Sequence, residues 1–279
     1  MKCKPLLVLC IFFFVHSSVY SWDLTLSGGV DYASYPKDGN DVSDIFKPEL
    51  QPIYSAEFNG DFGVEHNYSI GLRYDPVWRE TFSGGIGYHL GIVDIGLGFF
   101  LCDFFSGFTS IDTGFSGHAG FEFPGIFFIN AGASVSMGDF EIPARKRFNA
   151  EAGFWLPHIF ITFDFEIKEF IDNDDKTLDR TTSTRYSGSM EFFSKNVPYR
   201  IRFEAGMQNL ERSITGSAQS KDVSANHYFA GARFYAEAGK IFAWFAEAEV
   251  LFAASKKESS GAAMPYRAGV GIIFSYPEK

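Results

Sequence analysis

The chain has 279 residues, 46% of them hydrophobic and 18% aromatic, with a formal net charge of −10. This acidic balance argues against nucleic acid as a partner. Beyond the N-terminal region no stretch of about 18 uncharged apolar residues occurs, which argues against a helical membrane protein.

The first predicted element is a signal peptide over residues 1–21. Lys2 and Lys4 form its basic region, Ser21 stands at the predicted cleavage point, and the apolar core is residues 6–15, LLVLCIFFFV. That core is too short to cross a bilayer as a helix, so export is predicted, with a short inner-membrane anchor as the alternative interpretation.

Cleavage after residue 21 would change both the charge and the cysteine content. Basic residues would fall by two, from 24 to 22, against 34 acidic ones, so the net charge would become −12. Cys102 would be the sole remaining cysteine, so no intramolecular disulfide is expected.

From Trp22 to Tyr276, apolar and polar residues alternate with a period of two. Over residues 161–168, for example, Ile and Phe side chains alternate with Thr, Asp, Glu and Lys. This pattern is typical of strands with one apolar face. We therefore predict an all-β domain over residues 22–276, followed by a short tail at 277–279.

The predicted connections alternate in length. Short turns are expected at 63–67, 91–92, 124–125, 157–158, 193–198 and 239–240. Between them lie mostly longer polar stretches at 35–52, 103–113, 138–147, 169–185, 209–227 and 253–265, with 75–80 as a short exception. We count about fourteen strands, with twelve as the alternative, and predict a single closed antiparallel up-and-down transmembrane β-barrel with its short turns on the periplasmic side.

Residues 228–255 are rich in Ala and Glu, which favour helices. As a helix this segment would scatter Phe and Glu over all sides, whereas as two strands it separates Phe242 and Trp244 from Glu247 and Glu249. The strand interpretation is the stronger one, and partial helix remains the alternative.

Three features favour an apolar face that points outward, into lipid. The polar faces are dominated by Gly, Ser, Asp, Glu and Arg rather than by Lys and Thr. A closed sheet also leaves no unpaired edge in hydrocarbon. Aromatic residues, which suit a lipid–water interface, concentrate near the ends of the apolar faces: Trp22, Tyr54, Tyr68, Tyr74, Phe82, Tyr199, Tyr228, Tyr266 and Tyr276.

The chain ends in PYRAGVGIIFSYPEK, whose alternate residues from Tyr266 to Tyr276 are all apolar or aromatic. The spacing of its polar residue, glycine and hydrophobic residues resembles the C-terminal assembly signal of Gram-negative outer-membrane β-barrels: Arg267, Gly269, Ile272, Phe274 and Tyr276. The resemblance implies residence in the outer membrane, contact with its lipid and recognition by the barrel-assembly machinery. Ile272 departs from the family pattern because an aromatic residue is frequent there, and residues 277–279 extend beyond the usual end.

A barrel of about fourteen strands should enclose a water-filled lumen. We therefore predict a porin-like channel, acting as a monomer without cofactor or metal, for passive diffusion of small hydrophilic solutes or ions. Its predicted pore-lining residues are Asp164, Glu166, Arg200, Arg202, Glu204, Arg233, Glu237, Glu247, Glu249 and Arg267. Because acidic side chains prevail, with Glu191 on the acidic side and Lys168 on the basic side, cations should be preferred.

Two other classes of function stay open. The first is an adhesin, receptor or structural barrel acting through external loops at 35–52 and 209–227. The second and weaker is a barrel enzyme, suggested by Ser116 and His118 on one face, with no catalytic residue assigned.

The charges of the last four strands also suggest a register. A ladder Glu204–Arg233–Glu247, flanked by Arg200–Glu237 and Glu249–Arg267, would place opposite charges across neighbouring strands. The alternative is that these side chains are unpaired and hydrated.

Overall fold

The computed structural model describes residues 21–33, 49–62, 66–75, 77–103, 111–137, 144–174, 177–216, 220–253 and 266–276. The predicted tail and all of the predicted signal peptide except Ser21 lie outside these ranges. Fourteen strands are formed: β1 (Ser21–Ala33), β2 (Glu49–Phe62), β3 (His66–Asp75), β4 (Arg79–Leu90), β5 (Val93–Cys102), β6 (Asp112–Phe123), β7 (Phe127–Ser136), β8 (Ala144–Leu156), β9 (Ile159–Asp174), β10 (Thr177–Phe193), β11 (Tyr199–Gly216), β12 (Ser220–Glu237), β13 (Phe242–Ala253) and β14 (Tyr266–Tyr276). The described part of the chain contains no helix long and apolar enough to cross a membrane.

The strands form one closed antiparallel barrel in sequence order. The first and last strands pair from Trp22↔Tyr276 to Tyr32↔Tyr266, so the sheet has no free edge. The predicted closed barrel is confirmed, with the higher of the two expected strand counts. The helical alternative for residues 228–255 is wrong over the described part of that segment, because its residues belong to β12 and β13.

Short connections lie at the rim where β1 begins and β14 ends. Gly91, Gly125 and Gly239 take positive φ angles of 65°, 73° and 118°, and His158 one of 70°. Glycine adopts this conformation without strain, which explains its place in these tight turns. We call this the turn rim and the opposite one the loop rim.

Two predicted loops on the loop rim are wrong. Residues 169–185 and 209–227 are mainly strand, because β9 ends at Asp174 before β10 begins at Thr177, and β11 ends at Gly216 before β12 begins at Ser220. The four strands from β9 to β12 have 16, 17, 18 and 18 residues. Toward the loop rim their outward residues are mostly polar, while the inward ones include apolar Phe170, Leu210 and Ile214. The predicted alternation with an apolar outward face is therefore lost there while backbone pairing continues.

One cross-barrel contact identifies the inward face. Arg185 on β10 donates to Glu249 on β13 at 2.6 Å. Two strands separate them, and strands lie about 4.8 Å apart, so the side chains can meet only across the interior. Because residues paired in register share a face and faces alternate along each strand, this contact assigns an inward set to every strand.

The outward face is apolar and exposed. Ile86, Leu97, Phe115 and Val270 are 70, 74, 61 and 64% exposed. Aromatic pairs border this surface, with ring centroids 6.3 Å apart for Trp22–Tyr276, 5.6 Å for Tyr32–Tyr266 and 5.5 Å for Tyr54–Tyr74. On β8 to β12 the continuous apolar surface ends toward the loop rim at Phe148, Ile167, Tyr186, Met207 and Tyr228. The next outward residue on each of these strands is polar, with apolar Ile171 and Leu178 farther along β9 and β10.

Candidate pore interior

The ten residues predicted to line a pore lie on the inward face. Their registers connect them to the Arg185–Glu249 contact: β9 contributes Asp164 and Glu166, β11 contributes Arg200, Arg202 and Glu204, β12 contributes Arg233 and Glu237, β13 contributes Glu247 and Glu249, and β14 contributes Arg267. Whether they line an open passage is a separate question of function. We call the inward faces of β9 to β13 the charged wall.

Arg185 is the centre of the charged wall, and the sequence analysis missed it. Its guanidinium donates to both oxygens of Glu249, at 3.2 and 2.6 Å, and to Glu204 Oε1 at 3.0 Å. It also lies over the Phe229 ring, 3.6 Å from the centroid. A guanidinium that satisfies two carboxylates while stacking on a ring is held in one orientation. The residue was missed because it falls in the stretch predicted as loop, although Ser183, Arg185 and Ser187 alternate there with apolar Tyr186.

Arg202 makes a second connection across the interior. Its Nη2 lies 3.4 Å from Thr162 Oγ1, 3.6 Å from Asp164 and 3.9 Å from Glu204. Thr162 and Asp164 belong to β9, two strands away from β11. The long arginine side chain therefore reaches over β10, and its carboxylate contacts offset the like charge of Arg233, which faces it in register.

One step of the predicted ladder is present. Arg233 faces Glu247, and its Nε donates to Glu247 Oε2 at 2.8 Å, with a second bond from Nη2. The guanidinium also lies 4.9 Å from the centroid of the Phe245 ring.

The register predicted between β11 and β12 is wrong by two residues. Arg200 faces Tyr235 and Glu204 faces Gly231, so Glu204–Arg233 is not a facing pair. The observed register runs from Thr215↔Ser220 to Tyr199↔Ala236 and brings Arg202 opposite Arg233, so facing opposite charges do not select it. Arg200 still reaches Glu237 diagonally at 3.6 Å and lies at the same distance from Glu191.

The predicted register between β13 and β14 is correct, but the charges choose other partners. Glu249 and Arg267 face each other. Glu249 accepts from Arg185, however, and Arg267 donates to Asp31 at 3.0 and 2.7 Å. Asp31 is fully buried and faces Arg267 in the β1–β14 pairing, where the sequence analysis did not look for a partner.

The opposite side of the interior is built from small and neutral residues. We call the middle of the inward faces of β3 to β7 the neutral wall. A cavity of ≈ 390 Å³ lies against it, with an aromatic boundary from Trp78 and Phe100 and basic side chains from the neighbouring strands. Its neutral-wall lining is hydroxyl, amide, imidazole and glycine: Asn67, Ser69, Gly71, Thr81, Ser83, Gly85, Gly98, Ser116, His118, Gly132 and Ser134.

Inward aromatic side chains lie flat over inward glycines, which the sequence analysis also missed. A Cβ atom at Gly114 would overlap the Phe100 ring, and one at Gly153 would overlap Phe128. Phe100 and Phe128 are 3 and 8% exposed. The missing Cβ is what makes room for each ring, so an inward Phe facing or neighbouring a Gly on the next strand is the sequence signal that could have found them.

A buried ion cluster narrows the loop rim on this side. Arg145 is fully buried, donates to Asp112 at 2.9 Å and pairs with Asp103, while Ser136 donates to Asp112 at 2.6 Å. Next to it Val77, Trp78, Phe100 and Cys102 form an apolar cluster. The β9 residue Phe170 packs against that cluster and stacks with Arg145, whose Cζ is 4.7 Å from the ring centroid.

The structure assigns no chemistry to the Ser116 and His118 pair. Ser116 and His118 face inward, and His118 lies over Gly96. Over the described residues, no group of three or more His, Cys, Asp and Glu side chains is placed to hold a metal ion. In the predicted assembly signal, Arg267 and Gly269 face inward, while Ile272, Phe274 and Tyr276 face outward on the strand that closes the barrel.

Comparison with known proteins gives a likeness of fold. No protein-family model and no curated protein matches the chain. Among solved structures, the chain is similar to an outer membrane channel from Pseudomonas putida F1, with a TM-score of 0.51, 8% identity and coverage of 92% of this chain and 96% of the other. It is also similar to OmpT, an outer membrane protein of Vibrio cholerae, with a TM-score of 0.46, 7% identity and coverage of 91% and 96%. At such identities the likeness concerns the fold alone: the protein is a closed antiparallel barrel whose structural neighbours are outer-membrane barrels.

Proposed function

We propose that the protein is an outer-membrane channel through which small hydrophilic solutes diffuse passively. The observation that carries the proposal is the inversion of the barrel, with an exposed apolar surface outside and charged side chains and cavities inside. A soluble barrel would bury its apolar face, whereas a barrel in lipid exposes it.

The proposed location is the outer membrane, with the turn rim on the periplasmic side. Short turns and both strand termini at one rim support this orientation. The aromatic pairs at the ends of the apolar surface support contact with lipid headgroups on both sides. Export by residues 1–21 and recognition of β14 by the assembly machinery are parts of the same proposal.

The proposed solute route runs between the charged wall and the first strands. A cavity of ≈ 560 Å³ lies there, bounded by residues of β1 to β3 on one side and of β12 to β14 on the other, including Thr25, Ser55, Arg233, Glu247 and Arg267. A pocket of this kind, with polar groups on both sides, can hold hydrated ions and small polar molecules.

Cation preference is proposed from the charge of the inward face. Arg185 and Arg202 each contact more than one acidic residue, and the inward acids also include Asp23, Glu151 and Glu191. A field of negative sign raises the local concentration of cations, and salt screens it over about 10 Å at 0.1 M.

Reconstitution into planar bilayers of neutral lipid tests the function. We expect discrete conductance steps and, under a KCl gradient, a reversal potential of the sign for K⁺ preference that shrinks as salt rises. Absence of conductance from correctly folded barrel would contradict the channel, and a reversal potential of the opposite sign would contradict only the cation preference. The Glu204→Gln and Glu249→Gln double variant should reduce the preference, with Glu211→Gln as a control on the outward face.

A second candidate is recognition of an external ligand, favoured by the two long hairpins. The outward ends of β11 and β12 are polar where they pass beyond the apolar surface, at Asn209, Glu211, Ser213, Asp222 and Ser224. Ser213 donates to Asp222 at 2.6 Å, which braces one hairpin. Shortening the β11–β12 hairpin equally on both strands above Gln208 and His227 should leave conductance intact if the protein is only a channel, and should abolish binding to cells or matrix if it is an adhesin.

A further inference from the structure

The described part of the outward face carries one basic site. Among strand residues whose side chains the structure describes, Lys146 on β8 and Arg180 on β10 are the Lys and Arg residues that point outward. All other described strand Lys and Arg residues belong to the inward set. The two outward ones also lie close together, since a single residue on the intervening strand contacts both.

That residue is Glu169 on β9. It faces Lys146 in register, with Lys146 Nζ 3.5 Å from its Oε2, and it pairs with Arg180 through Oε1. The Glu169 side chain is 9% exposed, whereas those of Lys146 and Arg180 are each 55% exposed. The acid is therefore covered by its partners, and the surface that faces away from the barrel is cationic with a net charge of +1.

The height of this site is set by the apolar surface below it. On the same outward face, Phe148 lies two residues from Lys146 toward the turn rim, and Ile167 lies two residues from Glu169 in the same direction. A step of two residues is about 7 Å along a strand. The basic pair thus lies directly above the edge of the apolar surface. The nearest described outward acid on the following strand, Glu211, accepts a hydrogen bond from Asn209 at 2.9 Å.

We propose that Lys146 and Arg180, which share Glu169 as a partner, bind the phosphate of an anionic lipid headgroup in the leaflet that surrounds the loop rim. The inference rests on the proposed membrane location. An arginine fork and a lysine ammonium are a suitable pair for a phosphate, one supplying oriented donors and the other a point charge. Continuity with the apolar surface lets the acyl chains of the same lipid pack below, on Phe148 and Ile167.

The experiment uses the full barrel, purified in neutral detergent and titrated with phosphatidylglycerol, phosphatidylcholine or inorganic phosphate while bound lipid is counted by native mass spectrometry. The wild-type protein should retain phosphatidylglycerol in preference to phosphatidylcholine. Each basic residue near a lipid surface contributes about 1 kcal/mol, so the Lys146→Gln and Arg180→Gln double variant should bind phosphatidylglycerol roughly 30-fold more weakly. The Lys195→Gln and Lys240→Gln variant, altered in turns at the other rim, is the matched control and should bind like wild type.

Glu169→Gln separates binding from a purely structural ion pair. It keeps both cations and removes one negative charge, so phosphatidylglycerol retention should remain or rise. A fall to the level of the double variant would show that the cations serve only as partners of Glu169, and would overturn the proposal.

Two other results would also overturn the proposal. One is equal retention of phosphatidylcholine and phosphatidylglycerol by the wild type, and the other is saturation by inorganic phosphate with no preference for the lipid. Conductance in neutral bilayers tests the channel separately from lipid binding, and the double variant should conduct like the wild-type protein. If the double variant loses the lipid preference but neither protein conducts, the result contradicts the channel alone.

Discussion

The neutral wall and the charged wall differ in how far their side chains fill the interior of the barrel. Strands β3 to β7 have 10 to 12 residues and present inward glycines and hydroxyls, which leave a cavity of ≈ 390 Å³. Strands β9 to β12 have 16 to 18 residues and send arginine side chains across the interior, where the cavity is ≈ 190 Å³. Short strands with small residues keep space open, and long strands with long side chains fill it.

The two walls also differ in what holds them together. On the neutral side, aromatic rings pack against glycines, and the buried Arg145 cluster lies at the loop-rim end. On the charged side, ion pairs connect strands that are not neighbours, as Arg185 does with Glu249. Substitutions on the two sides should therefore fail by different mechanisms and to different extents.

Arg145→Ala should have the largest effect on stability. It leaves Asp103 and Asp112 without their shared guanidinium in a buried place, and loss of one member of a buried ion pair costs about 3–5 kcal/mol. Urea unfolding of the barrel in lipid vesicles measures the change. Arg200→Ala, at a half-exposed site, should cost less than about 1 kcal/mol and serves as the control. An equal loss of unfolding free energy in the two variants would show that the buried cluster contributes no more to stability than a half-exposed ion pair.

Arg185→Ala tests the charged wall. Hydrogen bonds to charged groups contribute about 1.5–3 kcal/mol each, and the variant leaves Glu204 and Glu249 without this partner, so unfolding free energy should fall by about 2–3 kcal/mol. It also removes a positive charge and a crossing side chain, so conductance and cation preference should both rise. Unchanged selectivity with lowered stability would mean that solutes do not pass this wall.

Gly114→Ala tests the neutral wall. The added methyl group would overlap the Phe100 ring and the Val135 carbonyl oxygen, and overpacking of this kind costs about 1–3 kcal/mol. Gly28→Ala is the matched control, because nothing lies within 4 Å of its added Cβ. Thermal unfolding of both variants in the same detergent decides the point, and equal midpoints would show that the ring over Gly114 moves aside freely.

The smallest effect is expected for the pair Arg233–Glu247. Both side chains are partly exposed, and facing opposite charges contribute about 0.2–1 kcal/mol. A double-mutant cycle with Arg233→Ala and Glu247→Ala measures this coupling energy. A value near that of the Arg185–Glu249 cycle would remove the distinction between a pair along the wall and a pair across the interior.

Much of the fold follows from local pattern. The alternation between Trp22 and Tyr276 predicts the strands because each strand must present one face to each solvent, and glycines mark the turns at 91, 125 and 239 because they accept positive φ. The pattern fails at 169–185 and 209–227 for the same reason that it succeeds elsewhere. There the outward residues are mostly polar and the inward ones are mixed, with Leu210 and Arg212 both buried, so the contrast with an apolar outward face is absent.

The sequence by itself thus determined the class of barrel and, where apolar and polar residues alternate, the side chains that point inward, since both depend on a period of two. Only the tertiary structure decided which charges meet. Arg185 meets Glu249 across the interior, Arg267 meets Asp31 where β14 pairs with β1, and the β11–β12 register brings two arginines opposite each other. Such partners lie on strands that are not neighbours or are far apart along the chain. Because a long side chain can reach several carboxylates, the curvature of the sheet and the strand register select its partner, and local sequence pattern does not.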